Sequence, residues 1–526
     1  MNITSSRRGF IGGLAGASVF AIGGCMCPFG LQKVRLAAVG IMGKGFSDWF
    51  PMVQSGLAEL VALCDADRRQ LGKAQEALNK KGFPLDLSKL PFYTDSRRLL
   101  DDAAKLGIEA MTVSTPDHMH APIAIRAMKA GIHVYVQKPL VRTLWELDYF
   151  RKTARENHVI TQMGNQGSAT EEIRRAAELL RAGVIGEVRE CHLWTNRPVW
   201  PQGLVAKKAS LGAADPIPVG LDWNAWIGTA KMRNYKGAYP VGTPSFNPWG
   251  EKLLEPNVYH AFNWRGFIDF GQGALGDMSC HMVNLPFRGL ELGKVVKAEC
   301  LATDEANDIT FPMRSKVKIS YAARPSQARP DITLPPVDLY WYDGNFDGKM
   351  LPPADLMPQL IASTKSGKVP ETGMLVIGSK GIIFKAHAND AKLMVAMDGE
   401  KAARDVSEHE LTCAVAQTIP RAIEMNGFSK MELQKRKDQV AILGESDAHY
   451  VEFLNAIRGE GPVYEETHSR CYSDIEHSIP MMEGILVACC SQLTPGVLSW
   501  NSESRCFDSA AANKLIRPYV RAGWEF

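Results

Sequence analysis

The sequence predicts an α/β protein: a parallel, doubly wound sheet first, then an α+β domain on an open, mixed, largely antiparallel sheet. Three observations predict it. From Val34 to Met163, short apolar runs alternate with amphipathic stretches, the signature of strand–helix–strand units in a parallel sheet. The first apolar run ends in a glycine cluster, Gly40–Gly45. After about Gly167 the texture changes, and Pro, Gly, Asn and Trp become frequent.

The elements follow in order. Val34–Val39, Glu59–Cys64, Ile108–Ser114, His133–Val136 and Val159–Met163 read as strands. Helices are expected near His120–Ala130, which Gly131 would close as a C-terminal cap, near Leu144–Asn157, and at Thr170–Ala182. Glu187–Thr195 is strand-like. Asn196–Asn263 is irregular, and six of the 11 Trp lie from Trp194 to Trp264. Long irregular segments are functional or tightly packed. Core packing is expected for most of these tryptophans, and the segment is a candidate cover for a ligand. Val295–Ala302, Ser315–Ala322, Val337–Tyr342 and Met374–Ile377 are further strands, and the turn Gly378–Gly381 leads into Ile382–Phe384. The division expected is 1–30, 31–167 and 168–526, the last a substrate and oligomerisation domain, so a homo-oligomer is the expected assembly.

Composition narrows the class. Of 526 residues, 45% are hydrophobic and 22% charged, which excludes a disordered, collagenous or polytopic membrane chain. Lys+Arg 60 against Asp+Glu 57 leaves +3, too balanced to suggest a nucleic-acid surface. The 11 Cys contain no C-x-x-C pair, so structural zinc has no support. Cys489-Cys490 sits in an apolar run and reads as core.

The N-terminus reads as an address. Ser5-Ser6-Arg7-Arg8-Gly9-Phe10-Ile11 precedes an uncharged, glycine-rich run and resembles a twin-arginine (Tat) export signal. The rival is a chance Arg pair before a membrane anchor, against which Gly12, Gly13, Gly16, Gly23, Gly24 and Pro28 argue. Ile22-Gly23-Gly24-Cys25 resembles a lipoprotein cleavage box, making Cys25 a candidate lipid anchor. A periplasmic or otherwise exported protein and passage through the Tat machinery are the expectations.

Gly40-Ile41-Met42-Gly43-Lys44-Gly45 follows the first strand and opens a helix. Such glycines let backbone approach a pyrophosphate, whose charge a helix N-terminus favours. Met42 stands in the second glycine slot. Asp65 ends the next strand about 20 positions after Gly45, where a carboxylate accepts the adenosine ribose hydroxyls. This favours NAD, while Arg68 and Arg69 leave NADP open. The third strand ends in Ser114-Thr115-Pro116-Asp117-His118-Met119-His120, on the ligand edge of a Rossmann sheet. His118 and His120 could be a metal pair, but no third ligand is suggested nearby, and His120 could equally cap a helix. Gln137-Lys138-Pro139 follows the fourth strand on the same edge, and Asp277 and His281 share one face of a helix begun near Gly271.

Together these residues resemble the Gfo/Idh/MocA family of NAD(P)-dependent oxidoreductases. The resemblance runs through Ser114–His120, Gln137-Lys138-Pro139, Met163-Gly164-Asn165-Gln166-Gly167, Asn263-Trp264-Arg265 and the Asp277/His281 helix to Asn513–Trp524. It implies that Lys138, Asp277 and His281 carry catalysis and sugar binding, that Trp264 and Arg265 face the sugar, and that Asn165 and Gln166 join the cofactor site. Gln137 stands where the commonest family pattern has Glu, so a charge that could tune Lys138 is missing. His281 suits a base for a hydroxyl proton. Asp277 could orient it or hold a second hydroxyl. A lysine beside a cationic nicotinamide would have its ammonium disfavoured and could share the proton. Three readings stay open: a sugar, polyol or glycoside oxidoreductase; a glycosidase using transient oxidation and elimination; and a non-catalytic sugar-binding lipoprotein.

Overall fold

The computed structural model describes residues 33–203, 213–239, 257–304, 307–344, 369–386, 392–421 and 447–526. The Arg7-Arg8 signal, Cys25 and Trp249 lie outside the described residues.

Apolar runs flanked by turns build the first sheet. Its strands are β1 (Val34–Val39), β2 (Ala58–Cys64), β3 (Phe92–Tyr93), β4 (Ala110–Val113), β5 (His133–Gln137) and β6 (Thr161–Gly164). They pair in parallel in the order β3-β2-β1-β4-β5-β6. The order reverses between β1 and β4, which opens a crevice at their carboxyl ends. β4 is buried throughout, and β1 is buried except at Arg35, because helices cover both faces. The sequence-predicted strands agree to within a few residues; the third begins at Ala110 rather than Ile108. β3 was missed, since two half-buried residues carry no period. Helix Leu144–Glu156 starts on a capping box in which Glu146 N–H donates to Thr143 and the Glu146 carboxylate accepts from Thr143 N–H. Gly131, at φ +76, ends helix His120–Lys129 as expected.

The second sheet comprises β7 (Val188–Trp194), β8 (Val295–Thr303), β9 (Ser315–Tyr321), β12 (Val337–Asp343), β13 (Gly373–Gly378), β14 (Gly381–Ala386), β15 (Leu393–Met397), β16 (Arg404–Asp405), β17 (Val497–Asn501) and β18 (Cys506–Phe507). A two-stranded ribbon, β10 (Arg324–Pro325) with β11 (Thr333–Leu334), interrupts the chain between β9 and β12. The order is β16-β15-β14-β13-β7-β12-β9-β8-β17-β18. Only β7 and β12 pair in parallel. The expected mixed, largely antiparallel sheet is therefore present.

Helix Ile475–Leu493 lies on this sheet and buries Cys489 and Cys490. A Cβ at Gly484 would stand 2.0 Å from Tyr321 Oη, so a glycine is required for the helix to lie this close to β9. Helix Gly273–Met282 packs on it in turn, with Cys280 Sγ 3.6 Å from Met482 Sδ. The chain before that helix folds over the first sheet. Asp67 and Leu221 form an antiparallel bridge, Arg68 N–H donates to Gly220 O (2.8 Å), and Asp222 N–H donates to Ala66 O (2.8 Å). Trp223 and Trp226 stack at 4.8 Å in the apolar cluster behind this contact. The C-terminal tail returns as well: Arg97 donates to Gly523 O (2.8 Å) and covers the Trp524 ring.

Candidate active site

The crevice becomes a cavity of about 610 Å³ walled by both domains. That size suits a small-molecule or cofactor site, for which ~300–1,000 Å³ is usual. Gly40, Met42, Gly43 and Lys44 form one end. A Cβ on Gly40 would stand 2.4 Å from Ser114 O, and one on Gly45 would stand 1.7 Å from Gly40 O. Gly45 thus shapes the loop from behind the wall. No side chain caps the start of helix Lys44–Gln54, although Gly45 N–H already donates to Met42 O (3.2 Å).

Asp65 lines the neighbouring wall. Its Oδ2 accepts from Ile41 N–H (3.1 Å) and its Oδ1 from Asp67 N–H (2.9 Å), so the carboxylate ties the glycine loop to the loop after β2. Burial lifts its pKa above the ordinary value against those two bonds. The nearby arginines are engaged elsewhere. Arg69 donates to both oxygens of Asp67 (2.7 and 2.8 Å), and Arg68 lies over the Phe92 ring.

Ser114, Thr115 and Pro116 line the floor with His120, Gln137 and Lys138. His120 Nδ1 lies 2.7 Å from Pro139 O and Nε2 lies 2.9 Å from Thr115 O. Burial pushes its pKa down to about 4. It is a buried strut between two loops. His118 Nε2 instead faces the carbonyls of Trp226 and Ile227, in the cover segment. Asn165 and Gln166 do not reach the wall: Asn165 is buried, and Gln166 meets Tyr135 and Tyr450 beneath the floor.

At the other end, Lys138 Nζ donates to Asp277 Oδ1 and to Asp277 O, each at 3.0 Å. Arg265 Nε is 3.3 Å from the same Oδ1. Burial opposes ionisation of Asp277, but the Lys138 and Arg265 charges outweigh it and hold the carboxyl well below the usual range. Two cations thus share one oxygen of Asp277. Lys138, expected to lie beside the nicotinamide, has Asp277 as its counter-ion. His281 lies one helical turn beyond Asp277 on the cavity wall. Arg265 stacks over Phe262 and Trp264, both at 4.4 Å, and Trp264 presents an apolar surface.

Sequence reading missed several residues of this wall. Asp117 is buried and its Oδ2 has no hydrogen-bond partner. Burial, then the Asp277 charge, push its carboxyl well above the ordinary range. Trp226, His260 and Phe262 come from the cover. His260 Nε2 is 3.0 Å from Asp67 Oδ2, while Trp226 Nε1 donates to its Nδ1 (3.2 Å). The expectation of core packing holds for Trp194, Trp200 and Trp223, whereas Trp226 and Trp264 also face the cavity.

A strand-order reversal, a glycine loop after the first strand and a carboxylate after the second define a dinucleotide-binding Rossmann domain. Residues 34–165 match the family GFO_IDH_MocA, described as oxidoreductase family, NAD-binding Rossmann fold. A "Glycosyl hydrolase family 109 protein 1" of Shewanella sp. (strain ANA-3) is 30% identical over 165 residues, 30% of this chain and 34% of the relative. The 2,7-anhydro-N-acetylneuraminate hydratase of Mediterraneibacter gnavus is 33% identical over 89 residues, 17% of this chain and 24% of its own. The chain thus spans about a third or less of the length of these curated relatives. An inositol dehydrogenase homolog from Azotobacter vinelandii, crystallised with NADH and myo-inositol, shares the fold over 89% of this chain and 98% of its own, at TM-score 0.52 and 16% identity. The WlbA dehydrogenase from Bordetella pertussis, with NADH and UDP-GlcNAcA, does so over the same shares at 0.51 and 15%.

The residues fit NAD. Gly40 and Gly45 keep the loop after β1 free of side chains, Asp65 follows β2 where such a fold would place a ribose acceptor, and Arg69 is paired with Asp67.

Proposed function

We propose that the protein is an exported NAD-dependent oxidoreductase acting on a sugar, polyol or glycoside by hydride transfer with Lys/His acid–base chemistry. The observation that carries this reading is the Lys138–Asp277–Arg265 cluster with His281 on one cavity wall, opposite the glycine loop.

NAD, when bound, supplies the ring that accepts or returns a hydride. Asp277 is held ionised, so it is a weak base and acts as an anchor. Lys138, fixed by two bonds to Asp277, directs a donor at the reacting oxygen. His281 takes the hydroxyl proton. Trp264 offers a flat apolar face, and Arg265 offers donors to ring hydroxyls.

A second reading is favoured by the cover. The Asp67–His260 contact and the bridge to Leu221 close the segment over the Asp65 end of the cavity. A nucleotide held there suits redox-neutral chemistry, in which the hydride returns to the same molecule after elimination and hydration, as in a glycosidase. The glycosyl hydrolase family 109 relatives support this alternative. Export through Tat, a lipid anchor at Cys25 and a homo-oligomer belong to the same proposal.

The deciding experiment incubates purified protein with free sugars, polyols and aryl glycosides, following absorbance near 340 nm and aglycone release. NADH formation supports a dehydrogenase, and release without NADH supports the glycosidase. Binding without turnover of any compound would show a non-catalytic sugar binder and refute both. Cell fractionation with Arg7-Arg8→Lys-Lys tests export: wild type should leave the cytoplasm and the variant should remain.

A further inference from the structure

Helix Lys44–Gln54 carries a carboxylate that the mechanism leaves unused. Asp48 is fully buried, four positions beyond Lys44. Its Oδ1 accepts from Lys44 Nζ (2.9 Å), Gln137 Nε2 (3.0 Å) and Tyr450 Oη (2.9 Å), and its Oδ2 accepts from Ser114 Oγ (2.7 Å). Lys44, Ser114 and Gln137 all line the NAD cavity, from three different elements. Three of these four donors belong to the cavity wall, so Asp48 ties that wall to the helix that follows the glycine loop.

Gln137 passes the contact onward. Its Nε2 donates to Asp48 and its Oε1 accepts from Lys138 N–H (3.1 Å). A Cβ on the facing Gly164 would meet Gln137 Nε2 at 2.5 Å, so glycine at that position leaves the space the amide fills. A carboxylate at 137 would set two like charges in contact inside the protein, which is strongly unfavourable. A neutral donor is therefore required at 137 while position 48 is charged.

We propose that Asp48 and Gln137 form one positioning unit of the NAD site. Asp48 fixes the Lys44 ammonium at the phosphate loop and, through the Gln137 amide, the backbone that presents Lys138. The carboxylate and the amide can exchange places only together. This rests on the cavity being the NAD site and is independent of the substrate.

The test compares Asp48→Asn, Gln137→Glu and the double variant for NADH dissociation, read as NADH fluorescence lost during a chase with excess NAD, and for thermal midpoint. Each single variant should release NADH about tenfold faster or more, and the double should return to within about threefold of wild type. If a single variant fails to fold, a folded double with a near-wild-type midpoint supports the pair. Single variants that release NADH at the wild-type rate overturn the proposal. So does a double variant whose defect is the product of the two, or one that fails to fold. An absence of sugar turnover in wild type would refute the proposed reaction and leave this readout unaffected.

Discussion

Lys138 Nζ lies 3.0 Å from both the carboxylate and the main-chain oxygen of Asp277, 139 positions away. A lysine on the ligand edge of the parallel sheet and an acid on a helix of the second domain thus act as one group. Both side chains are largely withdrawn from water. Removing one partner strands the other's charge, at a cost of roughly 3–5 kcal/mol for a buried pair. Asp277→Ala should therefore lower stability by about that amount in urea unfolding, and Asp277→Ala with Lys138→Ala should lose less than the sum. Strict additivity would show that the pair is uncoupled.

The acid–base roles proposed for His281 and Lys138 are separable from nucleotide binding. His281→Ala and Lys138→Ala should each reduce turnover by roughly two to four orders of magnitude, the scale of general acid–base groups. NAD affinity should stay nearly constant. Steady-state kinetics and nucleotide titration together check this, and wild-type turnover in either variant would remove the residue from the chemistry.

Asp65 ties the glycine loop to the loop after β2. Hydrogen bonds to a charged acceptor contribute about 1.5–3 kcal/mol. Asp65→Ala should then weaken NAD roughly 10- to 100-fold and NADP much less. A wild-type preference for NADP would contradict this assignment.

The cover should govern release. His260 reaches Asp67 across 193 positions, and no other titratable side chain of the cover is as close to the ribose loop among the contacts described. Purified protein should carry NAD(H) through dialysis, and His260→Ala should speed NADH loss by about tenfold, since affinity is tuned chiefly through dissociation. Nucleotide-free protein that exchanges cofactor rapidly would instead indicate a plain dehydrogenase.

A pH prediction comes from Asp343, at the end of β12. Burial lifts its carboxyl to about 7, against hydrogen bonds from Trp341 and Ser315. The folded state then keeps a proton that the unfolded chain releases near pH 3.8. Stability should fall as pH rises across that window, by up to about 4 kcal/mol from this group. Asp343→Asn should flatten the fall in urea midpoint between about pH 4.5 and 7. An unchanged slope would assign the dependence to other groups.

Local pattern was enough for the parallel sheet. β1, β2, β4, β5 and β6, the glycine loop and Asp65 are legible because strand runs, tight turns and the spacing to a strand-end acid are encoded within a few positions. Asp277 and His281 were legible as a pair because four positions make one helical turn. The partners were not legible. That Asp277 belongs to Lys138 and Arg265, that Asp48 collects Lys44, Ser114, Gln137 and Tyr450, and that His260 reaches Asp67 are decided by packing between residues up to 402 positions apart. β3 and helix Ile475–Leu493 escaped for a related reason: two residues carry no period, and a helix buried nearly all round shows little polar face to reveal one. The sequence by itself determined which residues could do chemistry at the sheet edge. The tertiary structure decided their charges, because burial and opposite-charge contact are properties of the folded chain.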